Sequence, residues 1–147
     1  MNLNKSTRYA LYSSMEMARV WPDERVTVGE IAQRYGISET ALAKVLQQLV
    51  RAGISIGSRG VGGGYRLARE PGRVTVLEVI DAFESRRGDV QCLLDDRPGE
   101  CRDFDGCRLR RLFDEVEEMA RSTYASTSLE TLVGPPLAQL SGSVESR

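Results

Sequence analysis

TVGEIAQRYGISETALAKVLQQLVRAG, residues 27–53, reads as two capped helices separated by one tight turn. Thr27-Val-Gly-Glu30 is a capping box, in which the threonine hydroxyl and the glutamate carboxylate each satisfy a backbone donor orphaned by the first helical turn. It opens a short helix, Val28 to Tyr35, that buries Ile31. Gly36 stops it, because a left-handed residue suits a helix end and glycine has no Cβ to oppose it. Ser38 caps a second helix. Leu42, Val45, Leu46 and Leu49 recur at helical spacing as its apolar stripe, and Gly53 closes it. Two capped helices joined at Gly36-Ile37-Ser38 form a helix-turn-helix signature. Ser38, Glu39, Thr40, Ala41, Ala43, Lys44 and Gln47 lie at the start or on the polar face of the second helix. In a recognition helix those are the positions that reach base edges in a major groove. An ordinary helical hairpin carries the same local signals, so this motif alone does not decide function.

The residues that follow narrow the choice. Ile54-Ser-Ile-Gly-Ser58 alternates like a short strand, and Tyr65-Arg-Leu-Ala68 returns as a second one. Between them Arg59-Gly-Val-Gly-Gly-Gly64 makes a tight glycine-rich tip. A β-hairpin directly after a recognition helix is a wing. Gly60 and Gly62 let the tip backbone approach a surface closely, and Arg59 suits a narrow, negative minor groove. A nucleotide-phosphate loop would need a Gly-Lys-Ser/Thr ending and a following helix, and neither is present.

Upstream, Thr7 to Val20 has apolar and small residues at helical spacing, with Ser6 or Thr7 available as cap and Trp21-Pro22 as the stop. Downstream, Pro71-Gly72 turns the chain, and Thr75-x-x-Glu78 is a second capping box that starts a helix through about Glu84. From Ser85 to Gly106 the chain is polar, contains Gly and Pro, and has no helical or strand period. Structureless loops of that length are uncommon in compact domains and usually functional. That stretch and the residue that follows it hold all three cysteines, Cys92, Cys101 and Cys107, and the loop is read as a metal centre, iron–sulfur first. Beyond it Leu109, Leu112, Phe113, Val116, Met119, Ala120 and Tyr124 make the apolar stripe of a long amphipathic helix. An apolar stripe on a helix appended to a self-contained domain reads as a dimer seam, with intramolecular core as the plainer alternative. Leu129 to Val133 forms a last short element, and the Pro- and Ser-containing tail from Gly134 is expected to be mobile.

The expected fold is therefore mainly α with a small β-hairpin wing. Residues 1–84 form a winged helix-turn-helix domain and 85–107 a cysteine-containing loop. Residues 108–133 hold a long C-terminal dimerisation helix with its short successor, and 134–147 the tail. A hydrophobic content of 41% supports a core of that size. There is no apolar run near the roughly 18 residues a membrane span needs. The N-terminus has no apolar stretch or cleavage site of a secretory signal, so a reducing cytoplasm is expected, where cysteines serve as ligands or sensors more than as disulfides. Net charge is −1, but residues 1–66 carry nine Lys/Arg against five Asp/Glu while the remainder carries eleven against sixteen. The basic half is the half with the helix-turn-helix, as phosphate binding would ask, although the excess is modest.

From Met1 to about Val133 the chain resembles winged-helix regulators of the IscR/NsrR type. The resemblance rests on Thr7-Arg-Tyr-Ala-Leu11, Ile31-Ala32, Gly36-Ile-Ser38, Leu49 through Gly53, and above all Arg59-Gly-Val-Gly-Gly-Gly-Tyr65-Arg-Leu-Ala-Arg69. The cysteines sit where cluster-binding members carry theirs. The resemblance implies a homodimeric cytoplasmic transcription factor that binds double-stranded promoter DNA and holds a 2Fe-2S or 4Fe-4S cluster through Cys92, Cys101 and Cys107. Such a protein would sense redox state, nitric oxide or iron and cluster supply.

Two departures bear on this. Some relatives supply a fourth ligand from a His three residues past the last cysteine; here that position is Arg110, and the chain has no His. Others use an acidic residue early in the first helix, where this chain has Arg8. The fourth ligand is left open among Glu16, Glu100, Asp103, Asp105, water or a small thiol. Some relatives also carry Glu in the recognition helix where this chain has Ala43, so base preference does not carry over. The alternatives are a zinc site, a metal-free thiol-redox switch, and an iron–sulfur electron-transfer module, which would have no use for a wing. No nucleophile with a base and no paired carboxylates point to an enzyme.

Overall fold

Caps and turn glycines set the element boundaries. The computed structural model describes residues 3–84 and 106–134. Helix α1 (Lys5–Arg19) starts at Asn4, whose side chain accepts from the Thr7 N–H at 2.8 Å, and not at Ser6 or Thr7. Thr7 is fully buried, and its hydroxyl donates to Glu84. Helix α2 (Val28–Tyr35) carries the Thr27/Glu30 capping box and ends at Gly36, with φ +63°. Helix α3 (Glu39–Arg51) follows Ser38, which takes the extended cap backbone without a capping side-chain bond. Its C-terminal end is a Schellman closure: Gly53 N–H donates to Val50 O and Ile54 N–H to Leu49 O, both 3.0 Å, with Gly53 at φ +72°.

Strands β1 (Ser55–Ser58) and β2 (Gly64–Leu67) pair antiparallel, with Ser55 opposite Leu67 and Ser58 opposite Gly64. A 3₁₀ turn (Pro71–Arg73) leads to α4 (Val76–Asp81), which carries the Thr75/Glu78 capping box and ends in a turn rather than running helically to Glu84. Helix α5 (Arg108–Ser126) and the short α6 (Leu129–Val133) follow. The chain is thus mainly helical with one two-stranded hairpin.

One apolar cluster gathers Ala10 and Met17 of α1, Ile31 of α2, Leu42, Leu46 and Leu49 of α3, Leu67 of β2 and Val79 of α4. Leu129 joins them, fully buried. The chain returns to the core after α5 because Val76 N–H donates to Thr127 O and Leu129 N–H to Val74 O, both at 2.9 Å. The short element at 129–133 therefore packs on the winged domain, while α5 buries none of its residues.

Candidate nucleic-acid interface

Helix α3 has two unlike faces. Leu42, Val45, Leu46 and Leu49 are buried, so the face a quarter-turn to a half-turn away must look outward. Ser38, Glu39, Thr40, Ala41, Lys44 and Gln47 are exposed, and Ala43 is half-exposed. Thr40, Lys44 and Gln47 are spaced three and four apart, which lines them along one outward row.

The wing is braced from its base to its tip. Val26 N–H donates to Tyr65 O at 2.9 Å, and Tyr65 N–H to Val26 O at 2.8 Å, which adds a third backbone segment to the hairpin. The Arg25 guanidinium also bonds the Ser58 hydroxyl. At the tip, Gly63 N–H donates to Gly60 O at 2.9 Å and closes a turn with Val61 and Gly62 at its corners. Gly62 has φ +74°, the positive value this turn type needs at its second corner. A Cβ on Gly63 would lie 2.6 Å from Ser58 O and 2.8 Å from Gly60 O, so only glycine fits there. Arg59, Gly60 and Gly62 are all exposed, and Val61 projects fully into solvent. This turn is formed in the free protein, so binding need not order it.

The helix-turn-helix is tied to α1 by a buried carboxylate. Glu16 accepts from the Tyr35 hydroxyl at 2.6 Å and pairs with Arg34 at 3.2 Å and with Arg19. Burial and the bond to Glu16 push the Tyr35 phenol up from its ordinary range. Burial opposes the charge of Arg19, but its contacts with Tyr35 and Glu16 outweigh that and hold the guanidinium above its usual value. Tyr12 covers Tyr35, ring centroids 4.8 Å apart. Nothing local in the sequence marks this cluster beyond a helical Glu16–Arg19 spacing, since α1 and α2 meet only in the fold.

Of the residues assigned to a metal, Cys92, Cys101, Glu100, Asp103 and Asp105 lie outside the described residues. Cys107 is a free, half-buried thiol at the N-cap of α5, and its side chain makes no capping bond. Glu16 has both oxygens engaged within its own chain, as above. Of the assigned dimer residues, Leu109, Leu112, Phe113, Val116 and Met119 are each more than half exposed, whereas Ala120 is half-buried. No helix among the described residues is long and apolar enough to cross a membrane.

Comparison with known proteins agrees with this geometry. Residues 3–135 match the family described as Rrf2, iron-dependent transcriptional regulator. The chain is 41% identical over 133 residues to an HTH-type transcriptional regulator designated BadM from Rhodopseudomonas palustris, covering 90% of this chain and 81% of that protein. It is 33% identical over 133 residues to the regulator IscR of Xenorhabdus nematophila, covering 90% and 79%. Among solved structures it is similar to CymR, the global cysteine regulator of B. subtilis, with TM-score 0.75 and 27% identity over 90% of this chain and 96% of that one. T. potens IscR shares the fold, with TM-score 0.72 and 22% identity over 100% and 93%.

Proposed function

The chain belongs to the Rrf2 family of helix-turn-helix transcriptional regulators, and we propose that this member is a homodimer whose operator binding responds to an iron–sulfur cluster on Cys92, Cys101 and Cys107. Family membership makes it a DNA-binding regulator and not an enzyme. The observation that carries the finer reading is the place of Cys107: a free thiol heads a long helix that buries none of its residues and displays an apolar stripe. A ligand at that point ties the state of the cysteine segment to the dimer helix.

Each part of the chain has a role in this reading. Lys44 and Gln47, with Ser38, Glu39, Thr40 and Ala41 at the start of α3, face the major groove. Arg59 and the Gly60–Gly63 turn enter the adjacent minor groove. Leu109, Leu112, Phe113, Val116 and Met119 pack against the same stripe of a second copy, with Ala120 at its edge. When bound, the cluster supplies thiolate-ligated iron that can be oxidised, nitrosylated or lost. Cys107 would hold its share of that set at the head of α5. Since Glu16 is fully engaged, the fourth ligand comes from Glu100, Asp103, Asp105, water or a small thiol. The protein acts in the cytoplasm, on promoter DNA.

A second reading has its own support. Cys107 is a free thiol, so the three cysteines can act directly as a redox switch.

One preparation separates the readings. The protein is purified without oxygen, its visible spectrum recorded, and iron, sulfide and zinc measured. Binding to a promoter fragment is then followed across salt concentrations. The cluster reading expects a coloured protein with matched iron and sulfide, and a DNA affinity that changes when the cluster is removed. A colourless protein after attempted reconstitution, with affinity that follows thiol oxidation, would establish the switch instead. Zinc alone would refute both.

A further inference from the structure

Helix α5 is held to the winged domain at two described points. Its C-terminal end is fixed by the Val76–Thr127 backbone bond and by an antiparallel bridge between Thr75 and Ser128. Six residues earlier, the Arg121 guanidinium grips the Asp81 carboxylate with two parallel bonds, Nη1–Oδ1 at 2.9 Å and Nη2–Oδ2 at 3.0 Å. Both side chains are less than a third exposed. The bond to Asp81 raises Arg121 above its ordinary range. Ala120 and Tyr124, on either side of Arg121 along α5, are half-buried.

Asp81 is also rigidly joined to the DNA-binding face. Gln48 of α3 donates its Nε2 to Ala82 O at 3.0 Å. Glu84 accepts from Asn4 N–H at 2.8 Å and from the Thr7 hydroxyl at 2.5 Å. Val79 and Ile80 of α4 are in the core. Asp81 therefore moves with α3, and Arg121 moves with α5.

We infer that the Asp81–Arg121 pair is a positioning contact that sets the tilt of α5 against the recognition helix, and thereby the half-site spacing a dimer accepts. The inference rests on the proposed role of α5 as dimer helix. Two anchors about 9 Å apart along a helix define its direction. With the Arg121 grip removed, one of these two described anchors is lost and the Thr127 one remains. A swing of about 10° about it carries the Arg108 end, ~28 Å away, through ~5 Å. The rise is about 3.4 Å per base pair, so that displacement exceeds one step of the operator. A bidentate Arg–carboxylate pair suits the task because it fixes an angle as well as a distance.

The test uses the full chain and a duplex recovered by in vitro selection from random DNA with the wild-type protein. The centre of that duplex is lengthened or shortened one base pair at a time. Wild type is expected to show a sharp spacing optimum, with affinity falling about tenfold within two base pairs. Arg121→Gln should flatten the profile to within about threefold while keeping the dimer and its affinity for a single half-site. The exchange Asp81→Arg with Arg121→Asp should restore the optimum. A wild-type profile in Arg121→Gln, or a uniform loss at every spacing, would overturn the inference while leaving the dimer reading intact. A wild-type chain that is monomeric or indifferent to spacing would overturn both.

Discussion

Truncating Leu112 to Ala tests whether the α5 stripe is a seam. Leu112 is 53% exposed, between Leu109 at 59% and Val116 at 55%, with Phe113 at 52% and Met119 at 71%. Complete burial of such a side chain is worth about 1.5–3 kcal/mol. Covering the half now exposed gains about half of that, and a two-fold dimer places two copies of Leu112 in one interface. Allowing for the Cβ that Ala retains, at about 0.8 kcal/mol per fully buried carbon, the dimer should lose about 0.7–2.2 kcal/mol. At about 1.4 kcal/mol per factor of ten, its dissociation constant should rise roughly 3- to 40-fold. The protomer should fold as before, since no residue of α5 is buried and surface substitutions usually stay within about 0.5 kcal/mol. Sedimentation equilibrium over a range of loading concentrations measures the first effect, and circular dichroism at the lowest concentration checks the second. A dissociation constant within twofold of wild type would remove the stripe from the interface. A loss of helical signal at every concentration would show that Leu112 is core.

Two further predictions concern the other end of the molecule. Gly63→Ala places a Cβ 2.6 Å and 2.8 Å from two backbone oxygens that cannot swing aside; the tip must distort, and operator affinity should fall tenfold or more in a mobility-shift assay with little change in melting temperature. Thr27 N–H, then the Thr27 hydroxyl, hold the Glu30 carboxyl below its ordinary range, so its stabilising share is present above the unfolded carboxyl range and lost as pH falls through the lower folded value. Glu30→Gln should therefore be less stable than wild type at pH 7 in urea, by about 0.3–1 kcal/mol, and the gap should close as pH falls through the lowered folded carboxyl value; a gap that persists in strong acid would sink this account.

What could be read from the sequence was local. Thr27 with Glu30, Thr75 with Glu78, Gly36 and Gly53 each stop or start a helix through neighbours three to five residues away, and the structure has those boundaries. The wing followed from strand alternation around a glycine run. What failed was settled at long range. Asn4, Ser6 and Thr7 are all competent caps, and the choice of Asn4 comes with Glu84, eighty residues on, which bonds the Asn4 N–H and takes the Thr7 hydroxyl. The Val26–Tyr65 bridge and the Asp81–Arg121 pair join residues about forty positions apart, and neither has a sequence period to announce it. Spacing also puts Ala120 on the apolar stripe without telling that it is half-buried while its more N-terminal neighbours are open. Beside it Arg121 meets Asp81 of α4.

The polar groups of the winged domain divide into those the fold consumes and those it leaves. A buried carboxylate is tolerated only when paired, and Glu16 is paired three times over, so its place is to hold the end of α2 against α1. Releasing it to a metal would strand Arg34, Arg19 and the Tyr35 hydroxyl beside the very turn that orients α3. Lys44, Gln47 and Arg59, by contrast, have no partner among the described residues: two lie on a helix with a packed inner face, and one directly precedes a turn closed by its own backbone. Holding charged and amide groups unpaired gives up local pairing that a flexible surface would recover. It is useful when an external array of phosphates and base edges supplies the partners. Cys107 and the α5 stripe are left open in the same way, on a different element and in different chemistry, one for a soft ligand set and one for an apolar surface. The three open sets do not compete for one partner, and the described contacts that join their elements, Gln48 with Ala82 and Asp81 with Arg121, lie where a change in one would be felt by another.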